Sequence, residues 1–232
     1  MNEILIRVLA LVCGYCFGLF QTAYLYGKMN HIDIRDYGSG NSGTTNALRV
    51  LGKKAGVITY AGDMLKACFA GTTMRLLCMY VFGIEEQSFI FMIIIYAGLG
   101  AALGHNYPFY MGFKGGKGIA VASGVILAIF DWKFIVLGLL IFGITLLITR
   151  YVSLGSILLM IGFFLEILIF GLLEYNLTSE QMIKWFAIPV KGHFPEILIV
   201  TFIYCAMAVI RHRANIVRLI NGNENKFGKK KD

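Results

Sequence analysis

The chain is poor in charge. Asp, Glu, Lys and Arg make up 15% of its 232 residues, where soluble domains average about 25%. It has three prolines, no polar low-complexity linker and no internal repeat, which excludes soluble modules strung on flexible joints. Apolar residues account for 58% and the mean hydropathy is +0.72. So few polar groups cannot cover so much apolar surface in water, which places the chain in a bilayer. The apolar segments do not alternate over about ten residues as barrel strands do. They are continuous, so helices are expected. A second cysteine pair is also missing. Cys13 and Cys16 are spaced C-x-x-C, but Cys68, Cys78 and Cys205 stand alone in apolar runs, and nothing completes a zinc site. All five read as small buried apolar residues, and neither metal nor cofactor is expected. No convincing small-residue cleavage site follows the run from Ile4 to Tyr26, which reads as a span and not a signal peptide.

An apolar run of about 20 residues crosses the hydrocarbon core. Such runs lie near 4–27, 55–83, 88–106, 117–131, 134–149, 153–173 and 195–210. They predict an all-α integral membrane protein of about seven transmembrane helices, with 1–232 forming a single polytopic domain. An odd number of spans puts Lys28, Arg35, Arg49, Lys53, Lys54, Lys114, Lys117, Arg150, Arg211, Arg213, Arg218, Lys226, Lys229, Lys230 and Lys231 on one side. The other side holds Arg7, Lys133, Lys184 and Lys191. By the positive-inside rule the first side is cytoplasmic and the N-terminus outside. Part of the net charge of +8 then serves topology and contact with anionic lipid. The connection 174–194 is external, with Trp185 and Phe186 as interfacial anchors.

Three polar, glycine-containing stretches interrupt the apolar pattern, all on the cytoplasmic side of this topology. In DIRDYGSGNSGTTNALR (33–49), Gly38, Gly40 and Gly43 permit positive φ. Ser39, Asn41, Thr44, Thr45 and Asn46 offer hydroxyls and amides, and successive N–H groups there can form an anion-binding nest. Arg49 follows, able to grip phosphate bidentately. The plainer reading is a flexible loop. In HNYPFYMGFKGGKGIA (105–120), Lys114, Gly115, Gly116, Lys117 and Gly118 precede an expected helix, whose N-terminus favours phosphate. The stretch lacks the Walker spacing, so ATP or GTP is not indicated; a basic membrane-flanking turn is the plainer alternative. His105 and Asn106 end the preceding span and serve either the site or its packing. In RHRANIVRLINGNE (211–224), His212 and Asn215 share a helix face. An interfacial helix resting on headgroups would look the same. Glu224 is placed to tie the tail to a basic group.

Charges also occur within spans. Asp63 and Lys66, at i, i+3, are expected to pair as a structural element, because unpaired charge there is costly. Glu166 has no local partner. With Arg75 these charges support a rival reading, a small phosphate or other anion transporter. His31 and Asp36 fit H-x-x-x-x-D, a pattern of acyl-CoA-dependent acyltransferases, but two fixed positions carry little weight. No Ser-His-Asp spacing is recognisable.

Taken together, DIR…GSGN.G.TN..R at 33–49, GHNYP…FKGGKGIA at 104–120 and RH..NI.RL..G.E at 211–224, with D..K at 63–66, resemble the bacterial acyl-phosphate:glycerol-3-phosphate acyltransferase family. The resemblance runs through nearly the whole chain in the same order. It implies a multi-pass enzyme of the bacterial cell membrane, active on the cytoplasmic face, which starts phospholipid synthesis. Such an enzyme moves a fatty acyl group from acyl phosphate to position 1 of sn-glycerol 3-phosphate, giving lysophosphatidic acid and inorganic phosphate. It implies catalytic roles for Ser39, Arg49, Lys117, His212 and Asn215. Gly38, Gly40, Asn41, Thr45, Asn46, His105, Lys114, Gly115, Gly116 and Gly118 are similar to the phosphate-contacting positions. Asp63, Lys66 and Glu224 are left with structural roles. Membrane lipids and the two substrates are the expected partners of a monomer, with no nucleic acid. The 174–194 connection and the lysine-rich tail go beyond the family core.

Overall fold

The computed structural model describes residues 2–228. Lys229, Lys230 and Lys231 of the tail lie outside the described residues. Among those described, every regular element is helical. The chain divides into two compact units, the first ending at Phe130 and the second beginning at Asp131.

In the first unit, α1 (Glu3–Gly18) is capped by Asn2, whose side chain accepts from the Ile4 N–H. The sequence predicts one helix over 4–27, but the backbone breaks after Gly18 and resumes as α2 (Thr22–Met29). Gln21 explains how the break is tolerated. Its buried amide donates to the carbonyls of Gly18, Gly104 and His105 at 3.1–3.2 Å, satisfying acceptors that lipid cannot. α3 (Thr44–Leu76) starts well before the expected 55. Gly52, at φ 87°, interrupts its helical backbone, a conformation that glycine adopts without strain. The stretch 44–51 is thus a short helix ahead of the long one, which ends in a π turn at Leu77–Val81. α4 (Gln87–Asn106) is buried along nearly its whole length. It packs on α1 through small residues: a Cβ at Gly14, Gly18, Gly100 or Gly104 would overlap a carbonyl of the opposite helix. α5 (Ile119–Ile129) has only 11 residues, between positive-φ Gly118 and Phe130. At ~1.5 Å per residue it reaches ~16 Å, about half the hydrocarbon thickness.

In the second unit, α6 (Trp132–Thr149) opens on Asp131, which accepts from the Lys133 N–H and pairs with Lys133 Nζ at 2.7 Å. α7 (Val152–Asn176) meets α6 through the edge-to-face rings of Phe163 and Phe134, 5.6 Å apart. It meets α9 (Phe194–Arg211) through Phe164 and Phe202. The connection between α7 and α9 holds α8 (Glu180–Phe186), with Trp185 and Phe186 exposed. It is folded back by Glu174, which accepts from the Val190 N–H at 2.8 Å. α10 (Arg213–Ile220) follows α9 after a break at His212. Glu166 on α7 is buried, and neither carboxylate oxygen finds a hydrogen bond among the described residues.

Among the described residues, five helical stretches are long and apolar enough to cross a membrane: Glu3–Met29, Gln87–Met111, Trp132–Thr149, Val152–Asn176 and Phe194–Arg211. α3 carries Asp63, Lys66 and Arg75, and α5 is short. The cysteines are free, with Cys78 and Cys205 buried. Cys16, expected to be buried, is exposed on the α1 surface.

Candidate active site

The first polar loop is braced from within. Asp33 opens a 3-10 turn at Ile34–Asp36 by accepting from the Arg35 N–H at 3.0 Å. Its carboxylate also takes Arg35 Nε at 2.9 Å and Nη2 at 2.7 Å. The third guanidinium nitrogen, Nη1, donates to the Met111 carbonyl at 3.2 Å, so Arg35 ties the first loop to the second. The Arg35 hydrogen bonds hold the Asp33 carboxyl down at about 2, despite burial acting the other way. A folded-state pKa below the ordinary 3.8 contributes stability that is present above the unfolded pKa and is lost as pH falls through the folded value. Thermal unfolding followed between about pH 5 and pH 2 is therefore expected to show a component that Asp33→Asn abolishes. Identical acid profiles for the two proteins would refute this.

Asn46 organises the same loop from the first turns of α3. It is buried; its Oδ1 accepts from the Ser39 N–H at 2.9 Å, and its Nδ2 donates to the carbonyls of Ile34 and Tyr37 at 3.1 and 3.0 Å. That amide shapes the loop, which leaves the exposed Ser39 hydroxyl and Thr45, with half-buried Asn41, facing outward from it. Arg49 is exposed, with no side-chain partner among the described residues.

The second loop runs from Tyr107 to Gly118. Its glycines are laced to the end of α4: the Gly115 N–H donates to the Asn106 carbonyl at 3.1 Å, and the Gly116 N–H to the His105 carbonyl at 3.0 Å. A Cβ at Gly116 would overlap the His105 ring, so no other residue type fits there. Lys114 is exposed and Lys117 half-buried. Gly118 adopts φ 82° and starts α5, with the Asn106 amide alongside. Asn106 is fully buried, and its Oδ1 and Nδ2 have no hydrogen bond among the described residues. A helix start, a lysine and an unsatisfied amide make a setting for an anion's oxygens, with the Gly115 and Gly116 N–H groups holding the loop to α4.

Beneath the two loops lies a buried polar cluster. The Ser42 hydroxyl donates to Gln21 Oε1 at 3.4 Å, and Gln21 holds the His105 carbonyl. Thr22 Oγ1 donates to Asp63 Oδ1 at 3.1 Å. Lys66 Nζ lies 2.9 Å from Asp63 Oδ1 and 2.9 Å from His105 Nδ1. The structure thus brings the first motif, the second motif and the intraspan charges into one connected set. Gln21, Thr22 and Ser42 were not singled out from the sequence. The available signal was a glutamine and a threonine inside an otherwise apolar run. His31 and Asp36 are both exposed, and no hydrogen bond joins them among the described residues.

The third motif sits where α9 gives way to α10. His212 and Asn215 are buried. His212 Nδ1 lies 2.8 Å from the Ala208 carbonyl. A carbonyl only accepts, so Nδ1 carries a proton. Asn215 Nδ2 donates to Glu224 Oε1 at 2.8 Å, and Arg218 Nε to Glu224 Oε2 at 2.7 Å. Glu224 thereby ties the segment after Gly222 back onto α10.

A family model for glycerol-3-phosphate acyltransferase matches residues 8–222. Glycerol-3-phosphate acyltransferase 2 of Bacillus anthracis is 39% identical over 222 residues, covering 95% of this chain and 99% of that one. The glycerol-3-phosphate acyltransferase of Endomicrobium trichonymphae is 36% identical, over 96% of each chain. A crystal structure of PlsY (YgiH), an integral membrane glycerol 3-phosphate acyltransferase, in its glycerol 3-phosphate form, superposes with a TM-score of 0.71 at 32% identity. It covers 98% of this chain and 96% of that one. The lysophosphatidic acid form of PlsY gives the same TM-score and identity.

Proposed function

The chain belongs to the glycerol-3-phosphate acyltransferase family, and on that premise we propose that it acylates position 1 of sn-glycerol 3-phosphate, with acyl phosphate as donor. The products are lysophosphatidic acid and inorganic phosphate. The observation that carries this reading is the glycine loop Gly115–Gly118, laced to α4 and opening α5, with Lys117 and the buried Asn106 amide beside it. Both substrates present phosphate, which is what such a loop recognises.

Acyl phosphate is an activated donor with a good leaving group, so no covalent enzyme intermediate is required. The 1-hydroxyl of glycerol 3-phosphate attacks the acyl carbonyl, the new C–O ester bond forms, and the C–O bond to phosphate breaks. The hydroxyl proton passes to a base, either His212 or a phosphate oxygen of the donor, and inorganic phosphate leaves. Lys117, Arg49 and loop N–H groups neutralise phosphate charge; Ser39 and Asn215 complete the set carried over from the motifs. Positioning of the two reactants supplies up to ~7–11 kcal/mol of barrier lowering. We extend the proposal to topology: seven membrane segments, namely the five recognisable by length, α3 and the shorter α5, with the N-terminus outside and the three motifs cytoplasmic in a bacterial cell membrane. The charge asymmetry supports that orientation.

The transporter reading loses most of its support. Asp63 and Lys66 bond each other, and Arg75 Nη2 donates to the Ile129 carbonyl at 2.8 Å, so these charges are held by partners within the protein. Purified protein given palmitoyl phosphate and labelled glycerol 3-phosphate is expected to yield labelled lysophosphatidic acid, and none with palmitoyl-CoA. Turnover with the CoA ester alone would overturn the donor assignment. Near-normal turnover in His212→Gln would remove it as the base.

A further inference from the structure

Lys66 is 4% exposed and surrounded by acceptors. Its ammonium has three N–H bonds, and three acceptors meet them: Asp63 Oδ1, His105 Nδ1 and the Phe20 carbonyl. Donors and acceptors match in number, with Asp63 steadied further by Thr22. An ammonium has no lone pair, so His105 Nδ1 must accept. The ring proton of His105 is therefore on Nε2. That edge of the ring faces the glycine loop, for a Cβ built on Gly116 would overlap Nε2, with Cε1 and Cδ2 also within 3 Å. The His105 carbonyl meanwhile accepts the Gly116 N–H at 3.0 Å and Gln21 Nε2 at 3.1 Å. One residue supports the loop at two points, and a buried charge on α3 orients its ring.

A pair serving only to satisfy itself would need no third polar partner. Buried ion pairs are often replaceable by apolar residues without loss of stability, so this arrangement invites a role beyond packing. We propose that Lys66 is a positioning residue for substrate binding: it fixes His105 as the Nε2-protonated neutral imidazole on which Gly116 rests, and so sets the aim of the Gly115–Gly118 loop. Asp63 balances the charge that this requires. The inference rests on the reading of that loop as the phosphate site, and deepens it.

The first test needs no activity. The 15N signals of the His105 ring in the intact wild-type protein, in detergent or nanodiscs, are expected to show a bare Nδ1 and a protonated Nε2. A protonated Nδ1 would overturn the proposal. The second is a double-mutant cycle. Asp63→Asn/Lys66→Met removes the pair without leaving a lone buried charge. It is expected to lower kcat/KM by about 10–100-fold, mainly by raising KM for glycerol 3-phosphate. In a His105→Gln background, which keeps a polar group near Nε2 but offers Lys66 nothing at Nδ1, the same double replacement is expected to add little. Equal losses in both backgrounds would show that the pair acts without His105. If the wild type itself makes no acyl product, the functional reading fails, while the tautomer result stands or falls by itself.

Discussion

Lys117→Ala is expected to lower kcat/KM for acyl transfer by about 100–1000-fold, a loss well beyond what any change in thermal unfolding accounts for. The magnitude follows from what the ammonium does. A cation at a helix start, facing a phosphate that carries charge into the transition state, contributes roughly 3–4 kcal/mol when water is excluded. The selectivity follows from how the loop is built. Its course is set by main-chain bonds from Gly115 and Gly116 to Asn106 and His105, and none of these passes through the Lys117 side chain. Lys117→Arg restores only part of the activity, because a planar fork does not occupy the place of a compact ammonium. Arg49→Ala provides a parallel case. Arg49 is exposed and its side chain has no hydrogen bond or ion pair among the described residues, so a large fall in activity there without a matching fall in unfolding temperature reports substrate contact. Acyl transfer from palmitoyl phosphate, measured beside unfolding temperature, decides both. A Lys117→Ala enzyme within twofold of wild type would exclude this lysine from the site.

The contrast between what was legible in the sequence and what was not has a physical basis. Long apolar runs and interrupted polar stretches are local signals, so α4, α6, α7 and α9 fall where hydropathy puts them. The break between α1 and α2 was not visible, because its cause is tertiary. Gln21 satisfies carbonyls at Gly104 and His105, far along the chain, and hydropathy averages one glutamine away. α5 is shorter than its apolar stretch because Gly118 and Phe130 both take left-handed backbone, and a phenylalanine gives no warning of that. The Asp63–Lys66 spacing announced a pair, but the third partner, His105, lies on another helix. Asn46 reads as one more polar loop residue, yet its amide is the brace that shapes the loop. Motif spacing thus showed which segments carry chemistry, while the division between substrate-facing and scaffold groups emerged only from their bonds.

One substitution changes sign with its place in the fold. Gly143→Ala, on α6, is expected to stabilise the protein by about 0.5–1 kcal/mol, since alanine is the better helix former. A Cβ there meets nothing within 4 Å. Gly104→Ala, on α4, carries the same propensity gain and is expected to be strongly destabilising. Its Cβ would overlap the Tyr15 carbonyl of α1, with Gly18 backbone atoms at 3.0 Å. Both obstacles are backbone, so no rotamer change relieves them and the helices must separate. Overpacking of this kind costs about 1–3 kcal/mol, and more here because small residues at four points set the approach of the pair. The damage also reaches the site. Gly104 precedes His105 and Asn106, and its carbonyl is one that Gln21 holds. The Tyr15 hydroxyl, donating to the Tyr107 carbonyl at 3.0 Å, locks the same end of α4. Separation of α1 from α4 therefore loosens the footing of the glycine loop, and activity falls together with unfolding temperature. Parallel melts and acyl-transfer rates for the two alanine variants test this. Equal behaviour at positions 104 and 143 would mean that the α1–α4 approach is looser than the structure describes.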